Sequence, residues 1–376
     1  MHIEQRIRTD GEWRVTGGGS TKNPQLAVVF GPGEVLRERA VWDQLALLYP
    51  GARIVGCSTA GEIAGVRVLD DAVVVTAIEL EHGRIAVAAA PVGDAPDCVA
   101  LGGALAAQLP RDGLVHVLVL SEGLKVNGSA LVAGIVGGIP PGTGVTGGLS
   151  GDGARFERTT VCLDGPAVTQ QVVAIGLYGD RLRIGYGSRG GWDPFGPERR
   201  ITRSQGNVLY ELDGEPALDL YKRYLDQHAA GLPATGLLFP LAIRGETGEP
   251  VVRTILAIDE AARSLTFAGD VPTGHRARLM KANLERLVEG AAAAAHTALG
   301  GNGVADPELA LLVSCVGRKL VLKQRIEEEV ESVREVLGER TVLMGFYSYG
   351  EISPFAPAAP CELHNQTMTI TTLAER

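Results

Sequence analysis

Short, continuous apolar runs alternate along the chain with segments whose apolar residues recur every three or four positions. The continuous runs are QLAVVF at 25–30, LVHVLVLS at 114–121 and PELALLVSCVG at 307–317. Such runs are typical of strands buried on both faces. The clearest helical spacing joins Leu322, Ile326, Val330, Val333 and Leu337. The alternation predicts an α/β fold, with mixed sheets and flanking helices.

One sequence frame occurs twice in the chain, as GCSTAGEI at 56–63 and GFYSYGEI at 345–352. A strand–turn–helix pattern also occurs twice, at 116–135 and at 310–330, and it leads to glycine-framed strand ends at 147–153 and 345–352. Residues 73–91 resemble 251–270. We therefore predict an internally duplicated α/β unit. Ligands of open α/β sheets bind at the carboxyl ends of strands, where this frame is expected to lie.

The length of 376 residues predicts two domains. Residues 1–23, which end in a Gly-rich and polar stretch, are expected to form a flexible lead-in. A change in pattern near residue 205 divides the remainder into domains at 24–205 and 206–376. The segments 71–80 and 84–92 are predicted to form a hairpin around His82-Gly83.

Charge and cysteine content narrow the class of protein. A net charge of −9 disfavours nucleic acid and anionic membranes as partners. The chain has neither a signal-peptide pattern at its start nor 18 consecutive apolar residues. Its five cysteines are widely spaced, as is common for reduced thiols. We therefore expect a cytoplasmic protein without a membrane span.

Motifs for cofactor binding and catalysis lack their required context. The G-x-G-x-x-G spacings at 142–147 and 185–190 do not connect a strand to a helix, and the seven histidines stand alone. We therefore predict neither a nucleotide nor a metal. GCSTA lacks the second glycine of a nucleophile elbow. Cys57 or Ser58 could act as a nucleophile with His364 and Glu351, but a buried small-residue turn is favoured, so no enzyme is predicted.

The two frames supply polar groups that a ligand pocket needs. Glu62 and Glu351 could each bind a ligand ammonium or accept backbone amides of their own turn. Tyr347 and Tyr349 could contact a ligand or pack between the domains. The candidate ligand-binding residues of the frames are Cys57, Ser58, Thr59, Glu62, Tyr347, Ser348, Tyr349 and Glu351.

The chain resembles the FIST family, named for F-box and intracellular signal transduction, over about residues 25–373. IVGCSTAGEI, VLVLSEGLKVNG and VTGGLSGDG are similar to the N-terminal FIST domain. LLVSCVGRKLVL, VLMGFYSYGEISP and LHNQTMTITTL are similar to the C-terminal one. The resemblance implies a cytoplasmic sensory module that binds a small ligand such as an amino acid. Its output would pass through a separate protein such as a histidine kinase, a diguanylate cyclase or a chemoreceptor.

The resemblance also adds candidate site residues. Ser314 and Arg318 match a Ser-Cys-x-x-Arg pattern of the family, and Arg318 could hold a ligand carboxylate or pair with Glu351. His364 and Asn365 begin the last predicted strand. Some family members are haem-binding nitric oxide sensors that regulate a kinase, and in that alternative His364 would be the axial ligand. We predict a small-ligand sensor first, then the haem sensor, with a Cys- or Ser-dependent enzyme and an interaction scaffold as further alternatives.

Overall fold

A computed structural model describes residues 1–94, 96–245, 250–300, 304–355 and 359–376. Within them the strands form three six-stranded sheets and one eight-stranded sheet. In spatial order, sheet 1 consists of β11 (Val161–Leu163), β4 (Arg53–Ser58), β3 (Leu26–Gly31), β7 (Val73–Glu79), β1 (His2–Thr9) and β2 (Glu12–Gly18). Sheet 2 consists of β25 (Cys361–His364), β24 (Gly350–Pro354), β10 (Gly144–Leu149), β9 (Leu114–Ser121), β12 (Gln171–Tyr178) and β8 (Arg84–Pro91).

The other two sheets hold the remaining strands. Sheet 3 consists of β13 (Leu182–Arg189), β26 (Met368–Glu375), β22 (Leu309–Cys315), β23 (Val342–Ser348), β5 (Glu62–Ala64) and β6 (Arg67–Leu69). Sheet 4 consists of β18 (Val251–Arg253), β17 (Leu241–Arg244), β21 (Arg276–Ala282), β14 (Trp192–Gln205), β15 (Val208–Leu212), β20 (Ser264–Phe267) and β19 (Ile255–Asp259), with β16 (Glu215–Pro216) paired to β15.

Helices connect and cover the sheets. The α-helices are α1 (Gly33–Leu36), α2 (Arg39–Leu48), α3 (Cys98–Gln108), α4 (Gly128–Gly138), α5 (Ala217–Leu225), α6 (Leu284–Gly300), α7 (Val316–Leu322) and α8 (Ile326–Leu337). Short 3-10 helices span Asp226–Gly231, Ala234–Leu238 and Lys323–Arg325. No helix in the described ranges is long and apolar enough to cross a membrane. The α/β architecture with mixed sheets and flanking helices is as predicted.

The first three sheets share one unit of parallel strands. In each, a first strand pairs in parallel with the strand that follows its crossover helix, as β3 with β4, β9 with β10 and β22 with β23. On its other side, each first strand pairs with an antiparallel strand: β3 with β7, β9 with β12 and β22 with β26. The described residues therefore contain three copies of the unit, one more than the predicted duplication.

A glycine marks the same position in every copy. Gly56, Gly147 and Gly345 each lie opposite a residue of the first strand of their unit. A Cβ on any of the three would lie 2.0 Å from the carbonyl oxygen of that partner strand. Each second strand thus approaches its parallel neighbour so closely that only glycine fits. The third copy of the frame is the segment at 147–153.

The three units are interlocked by exchanged strands. β5 follows β4 of sheet 1 but pairs with β23 of sheet 3. β11 follows β10 of sheet 2 and pairs with β4, and β24 follows β23 and pairs with β10. One apolar core contains residues from all three sheets, with Phe30 and Phe346 at its centre, their ring centroids 4.6 Å apart. The strand ends of all three units are therefore brought together.

Three predictions about organisation were wrong. Residues 1–23 are not a flexible lead-in, because β1 pairs with β7 and buries Ile3 and Ile7. β7 and β8 do not form a hairpin, since β8 pairs with β12 in another sheet. Residues 73–91 and 251–270 are not equivalent in the structure either, because 251–270 belongs to sheet 4. The strand that occupies the position of β7 in the third unit is β26.

Sheet 4 lies between the second and third units in the sequence. It packs with α5 around a core of its own that includes Ile201, Leu220 and Phe267. The domain boundary predicted at 205/206 falls in the turn between the paired strands β14 and β15. The two-domain division itself stays a prediction, and sheets 2 and 3 both contain strands from either side of that boundary.

Candidate functional site

The three frames meet at one place, which we call the hub and define as residues 56–63, 147–153 and 345–352. The first and third segments exchange backbone hydrogen bonds, from the Ala60 amide to the Tyr347 oxygen and from the Tyr347 amide to the Gly61 oxygen, both at 2.8 Å. The middle segment joins in through the Gly151 amide, 2.9 Å from the Ser58 oxygen. The prediction that the frames lie at strand ends is confirmed, and the frames contact each other directly.

The two frame glutamates have matching environments. The Thr59 hydroxyl donates to Glu62 at 2.5 Å, and the Ser348 hydroxyl donates to Glu351 at 2.6 Å. Burial raises the pKa of each carboxyl to about 8. Glu351 also accepts the amide and hydroxyl of Thr367, at 3.1 and 2.9 Å. Glu62 differs, because its Oε2 is buried without a hydrogen-bond partner.

Arg318 forms a fully buried ion pair beside the hub. Its Nε and Nη2 donate to one carboxylate oxygen of Glu329 at 2.9 and 2.7 Å, and both side chains are 0% exposed. The other oxygen accepts the hydroxyls of Ser314 at 3.0 Å and Tyr347 at 2.8 Å. The predicted pair of Arg318 with Glu351 is therefore wrong. Sequence reasoning missed Glu329, although it precedes Val330 on the apolar side of the predicted helix.

Tyr349 joins the third frame to the middle one. Its hydroxyl donates to the Asp152 carboxylate and accepts the amides of Asp152 at 3.1 Å and Phe156 at 3.2 Å. Its ring stacks on Phe156 with the centroids 4.2 Å apart. Tyr349 thus packs between the second and third units. Of the two predicted roles, ligand contact or packing, these contacts fit packing.

Cys57 and Ser58 lack the surroundings of an activated nucleophile. Burial raises the pKa of the Cys57 thiol well above its usual value, which disfavours a thiolate. The Ser58 hydroxyl accepts the Thr160 amide at 2.9 Å. Among the described residues, no histidine hydrogen-bonds to either side chain, and the predicted partner His364 donates to a backbone carbonyl instead. This geometry supplies no general base.

An open cavity of about 610 Å³ lies outside the hub, between α4, the edge of sheet 4 and β25. Its polar lining includes Ser129, Arg253, Asp270, His275, Glu362 and His364. Its apolar lining includes Ala133, Ile243, Val251, Pro272, Phe355 and Leu363. A cavity of this size with convergent polar groups has the character of a small-molecule site.

His364 and Asn365 connect the cavity to the third frame. His364 lies opposite Glu351 in the β24–β25 ladder, and its Nε2 donates to the Ser353 carbonyl at 2.8 Å. Burial lowers the pKa of His364 to about 4, so the ring is neutral at physiological pH. Asn365 donates to the Tyr349 carbonyl at 3.2 Å and accepts the Thr254 amide at 3.3 Å. Of the twelve predicted site residues, His364 is the one that lines the cavity.

Arg253 is the main functional candidate that sequence reasoning missed. It is 7% exposed and donates to the carbonyls of Leu363 at 2.8 Å and Asp270 at 3.1 Å, and to the Ser129 hydroxyl at 3.4 Å. Burial lowers its pKa to about 10. No ion pair of Arg253 is found within the described part of the chain. Its sequence signal is one arginine inside the segment 251–257, which is apolar apart from Arg253 and Thr254.

Metal binding has no evident site. Across the described ranges, no group of three or more His, Cys, Asp or Glu side chains could hold a metal ion.

Comparison with known proteins gives the family. The family model of the FIST N domain matches residues 25–215, and that of the FIST C domain matches residues 217–354. An uncharacterised protein of Methanocaldococcus jannaschii is 26% identical over 160 residues, 39% of this chain and 30% of that protein. Uncharacterised proteins of Mycobacterium bovis and Mycobacterium tuberculosis are each 27% identical over 233 residues, 57% of either chain. The matches thus span little more than half of these relatives at most.

A solved structure of cyanuric acid hydrolase from A. caulinodans aligns with 94% of this chain and 90% of its own, at 8% identity and a TM-score of 0.36.

The family models match 25–354 almost without interruption, in the order that the sequence motifs predict. The chain therefore belongs to the FIST family, whose domains are sensory domains of signal transduction.

Proposed function

We propose that this protein is a cytoplasmic sensor that binds a small, amino acid-like ligand and signals through a separate protein. The observation that carries the proposal is Arg253, a buried cation on the wall of the cavity with no carboxylate partner in the described ranges. The ligand was expected beside the Gly-Glu-Ile strand ends. We place it in the cavity next to the third frame, because His364 belongs to both regions.

The charge on Arg253 favours a ligand carboxylate. Burial lowers the pKa of Arg253 and outweighs the charges of Glu362 and Asp270, which raise it, and neither carboxylate forms an ion pair with Arg253 in the described ranges. A buried charge that is not directly paired is costly, and carbonyl dipoles offset that cost only in part. The Nη2 group of Arg253 makes one long hydrogen bond, of 3.4 Å, to a rotatable hydroxyl. A ligand carboxylate would supply both a direct ion pair and a better acceptor.

The remaining lining suits the other parts of such a ligand. The carboxylates of Asp270 and Glu362 line the same cavity and could receive an ammonium group. Ile243, Val251 and Phe355 offer apolar contact for a side chain. With one cation and two carboxylates on its wall, the cavity favours a zwitterion over a dianion, which the acidic groups would repel.

Output would pass to a partner such as a histidine kinase, a diguanylate cyclase or a chemoreceptor. FIST domains act in signal transduction, and the two matched domains account for residues 25–354. These residues therefore hold the sensing part of the pathway, and the response would be made by another protein.

A thermal-shift screen tests the ligand proposal, with the twenty amino acids, succinate, ATP and haem as probes. A ligand at 100 times its dissociation constant stabilises by about 2.7 kcal/mol. For domains of this size each kcal/mol raises Tm by roughly 2–4 °C. We expect a shift from one class of amino acid, lost in Arg253→Gln. It should persist in Arg278→Gln, an exposed arginine on β21 of the same sheet.

Either of two results would overturn the proposal. One is the absence of a shift with every amino acid. The other is an amino acid shift that survives in Arg253→Gln, since the ligand would then bind elsewhere. Circular dichroism of the unliganded variants checks that each of them folds.

The second candidate is a haem-dependent nitric oxide sensor, and His364 is the observation that favours it. The ring is neutral at physiological pH and lines the cavity, and its Nε2 bond to Ser353 leaves Nδ1 for a metal. The fit is poorer than for an amino acid, because His364 is 2% exposed and Phe355 packs against it, with ring centroids 5.5 Å apart. A Soret band on haem titration that is lost in His364→Ala would favour this candidate.

A further inference from the structure

Lys319 of α7 reaches from the C-terminal half of the chain into the hub. Its ammonium group donates to the Ala60 carbonyl at 2.8 Å and pairs with the Asp70 carboxylate. The side chain of Lys319 is 17% exposed, whereas that of Asp70 is 71% exposed. A Cβ on Gly61 would lie 2.3 Å from the Lys319 nitrogen, so the frame glycine makes room for this cation. Lys319 thus contacts both the first frame, through the Ala60 carbonyl, and the exposed carboxylate of Asp70.

Glu62 lies beside this lysine with an unused acceptor. It is 2% exposed, and while Oε1 accepts the Thr59 hydroxyl, Oε2 has no hydrogen-bond partner. Burial disfavours the ionised carboxylate and outweighs the Thr59 hydroxyl and the Ala72 amide, which stabilise it, so the charge at this position is costly. Lys319 is the nearby cation whose charge stabilises the ionised form of Glu62.

The matched glutamate of the third frame lacks this arrangement. Both oxygens of Glu351 have partners, and the neighbouring Arg318 is held by Glu329. Glu62 therefore combines an unpartnered oxygen with a neighbouring lysine whose ion pair is to an exposed carboxylate.

Two other titratable groups around Glu62 stay neutral at neutral pH. Cys57 on β4 and Tyr347 on β23 have pKa values that burial raises well above their usual ranges. Asp70 and Lys319 are the charged groups whose charges act on Glu62, from the end of β6 and from α7. Because burial raises the pKa of Glu62 to about 8, the charge of Glu62 changes near neutral pH.

We propose that the protonation state of Glu62 determines whether Lys319 binds Asp70 or the buried carboxylate. With Glu62 protonated, Lys319 stays on Asp70 and the Ala60 carbonyl. When Glu62 releases its proton to solvent, the lysine turns inward to the free Oε2 and leaves Asp70. The segment 65–71, which contains β6, then keeps its bond from the Val68 amide to Glu327 on α8, at 3.2 Å, but loses its ion pair to α7. The attachment of this segment to the C-terminal helices becomes sensitive to pH.

Hydrogen–deuterium exchange of the peptide covering 65–71 tests the switch, at pH 6.5 and 9.0 with times corrected for intrinsic exchange. Since a partly exposed ion pair contributes little, we expect protection in the wild-type protein to fall roughly two- to fivefold at pH 9.0. Because the pKa of Glu62 is raised to about 8, the midpoint should lie near that pH. Glu62→Gln, which stays neutral, should retain protection at both pH values, and Glu351→Gln should behave like the wild type.

Two further results decide the matter. Asp70→Asn removes the exposed partner of Lys319, so protection of the 65–71 peptide should be low at both pH values in this variant. This variant keeps the test decisive if Glu62→Gln fails to fold. The proposal is overturned if wild-type protection does not change with pH. It is also overturned if Glu62→Gln or Asp70→Asn shows the same pH-dependent loss as the wild type.

Discussion

The hub and the cavity differ in how completely their polar groups are partnered. Beside the hub, Arg318 has Glu329, and within it Glu351 has Ser348 and Thr367, all in the buried interior. The exception in the hub is Glu62, one oxygen of which has no hydrogen-bond partner. In the cavity, Arg253 has only carbonyl and hydroxyl acceptors and borders open space. A site whose polar groups are satisfied by the protein itself leaves little for a ligand to gain.

The repeated frames and the proposed ligand site therefore lie in different parts of the molecule. The repeated frame is where three units join, and its hydroxyls and carboxylates bind one another. The cavity is formed by α4, β25 and sheet 4, and sheet 4 lies outside the three repeated units. The repeat thus supplies the framework, and the cavity of the proposed site forms where the added sheet meets α4 and β25.

The largest expected effect is loss of the buried ion pair in Arg318→Met. The variant leaves Glu329 buried without its cation, which typically destabilises by about 3–5 kcal/mol. Urea denaturation followed by circular dichroism measures it. Removal of both charges in Arg318→Met/Glu329→Leu should recover much of the stability, and Arg278→Met on an exposed strand face should change it by less than ~0.5 kcal/mol.

The contrast with the cavity is then direct. Arg253→Gln should cost far less stability than Arg318→Met while it abolishes ligand-induced stabilisation. Equal losses of stability in the two variants would mean that Arg253 is a structural residue like Arg318, and the comparison between the two regions would fail.

The next effect concerns the repeated glycine. Gly345→Ala would place a Cβ 2.0 Å from the Leu312 carbonyl oxygen, and such overpacking typically costs about 1–3 kcal/mol. Gly137→Ala on α4 is the matched control, because no atom lies within 4 Å of its added Cβ. Alanine also favours a helix over glycine by up to ~1 kcal/mol, so this control should be stabilised. Similar thermal shifts for the two variants would contradict the close strand approach.

The smallest effect, when one carboxyl is considered over one pH unit, is the pH dependence of stability set by Glu62 and Glu351. Burial raises both pKa values to about 8 in the folded protein, above the ordinary value of 4.5. Between these values the unfolded chain loses protons that the folded chain retains. The stabilising contribution is therefore complete below pH 4.5 and is lost as the pH rises to about 8, by at most about 1.4 kcal/mol per pH unit for each carboxyl.

Urea titrations at pH 6 and 7 measure this slope in the wild type and in Glu351→Gln. The glutamine variant should lose less stability over the same interval, because one of the two carboxyls no longer titrates. An unchanged slope would show that Glu351 is already ionised in the folded hub.

Local patterns predicted the elements well and their pairing poorly. The runs at 25–30, 114–121 and 307–317 are β3, β9 and β22, since continuous apolar strands fit only a sheet covered on both faces. The hairpin of 71–80 with 84–92 was wrong because a two-residue turn also suits a chain that passes from one sheet to the next. The middle frame, at 147–153, was not predicted as a copy of the repeat, since it lacks the Glu-Ile that marks the other two.

The sequence by itself determined the family, the α/β class and the location of the repeated frames at strand ends. These features depend on residues close together in the chain, such as the glycines, hydroxyls and apolar runs of each frame. Only the tertiary structure decided that Arg318 pairs with Glu329 and that Arg253 is left beside a cavity. Arg318 and Glu329 lie 11 residues apart on α7 and α8, so their pairing depends on how these two helices pack. Arg253 borders the cavity because sheet 4 packs beside α4 and β25, which are distant from it in the sequence.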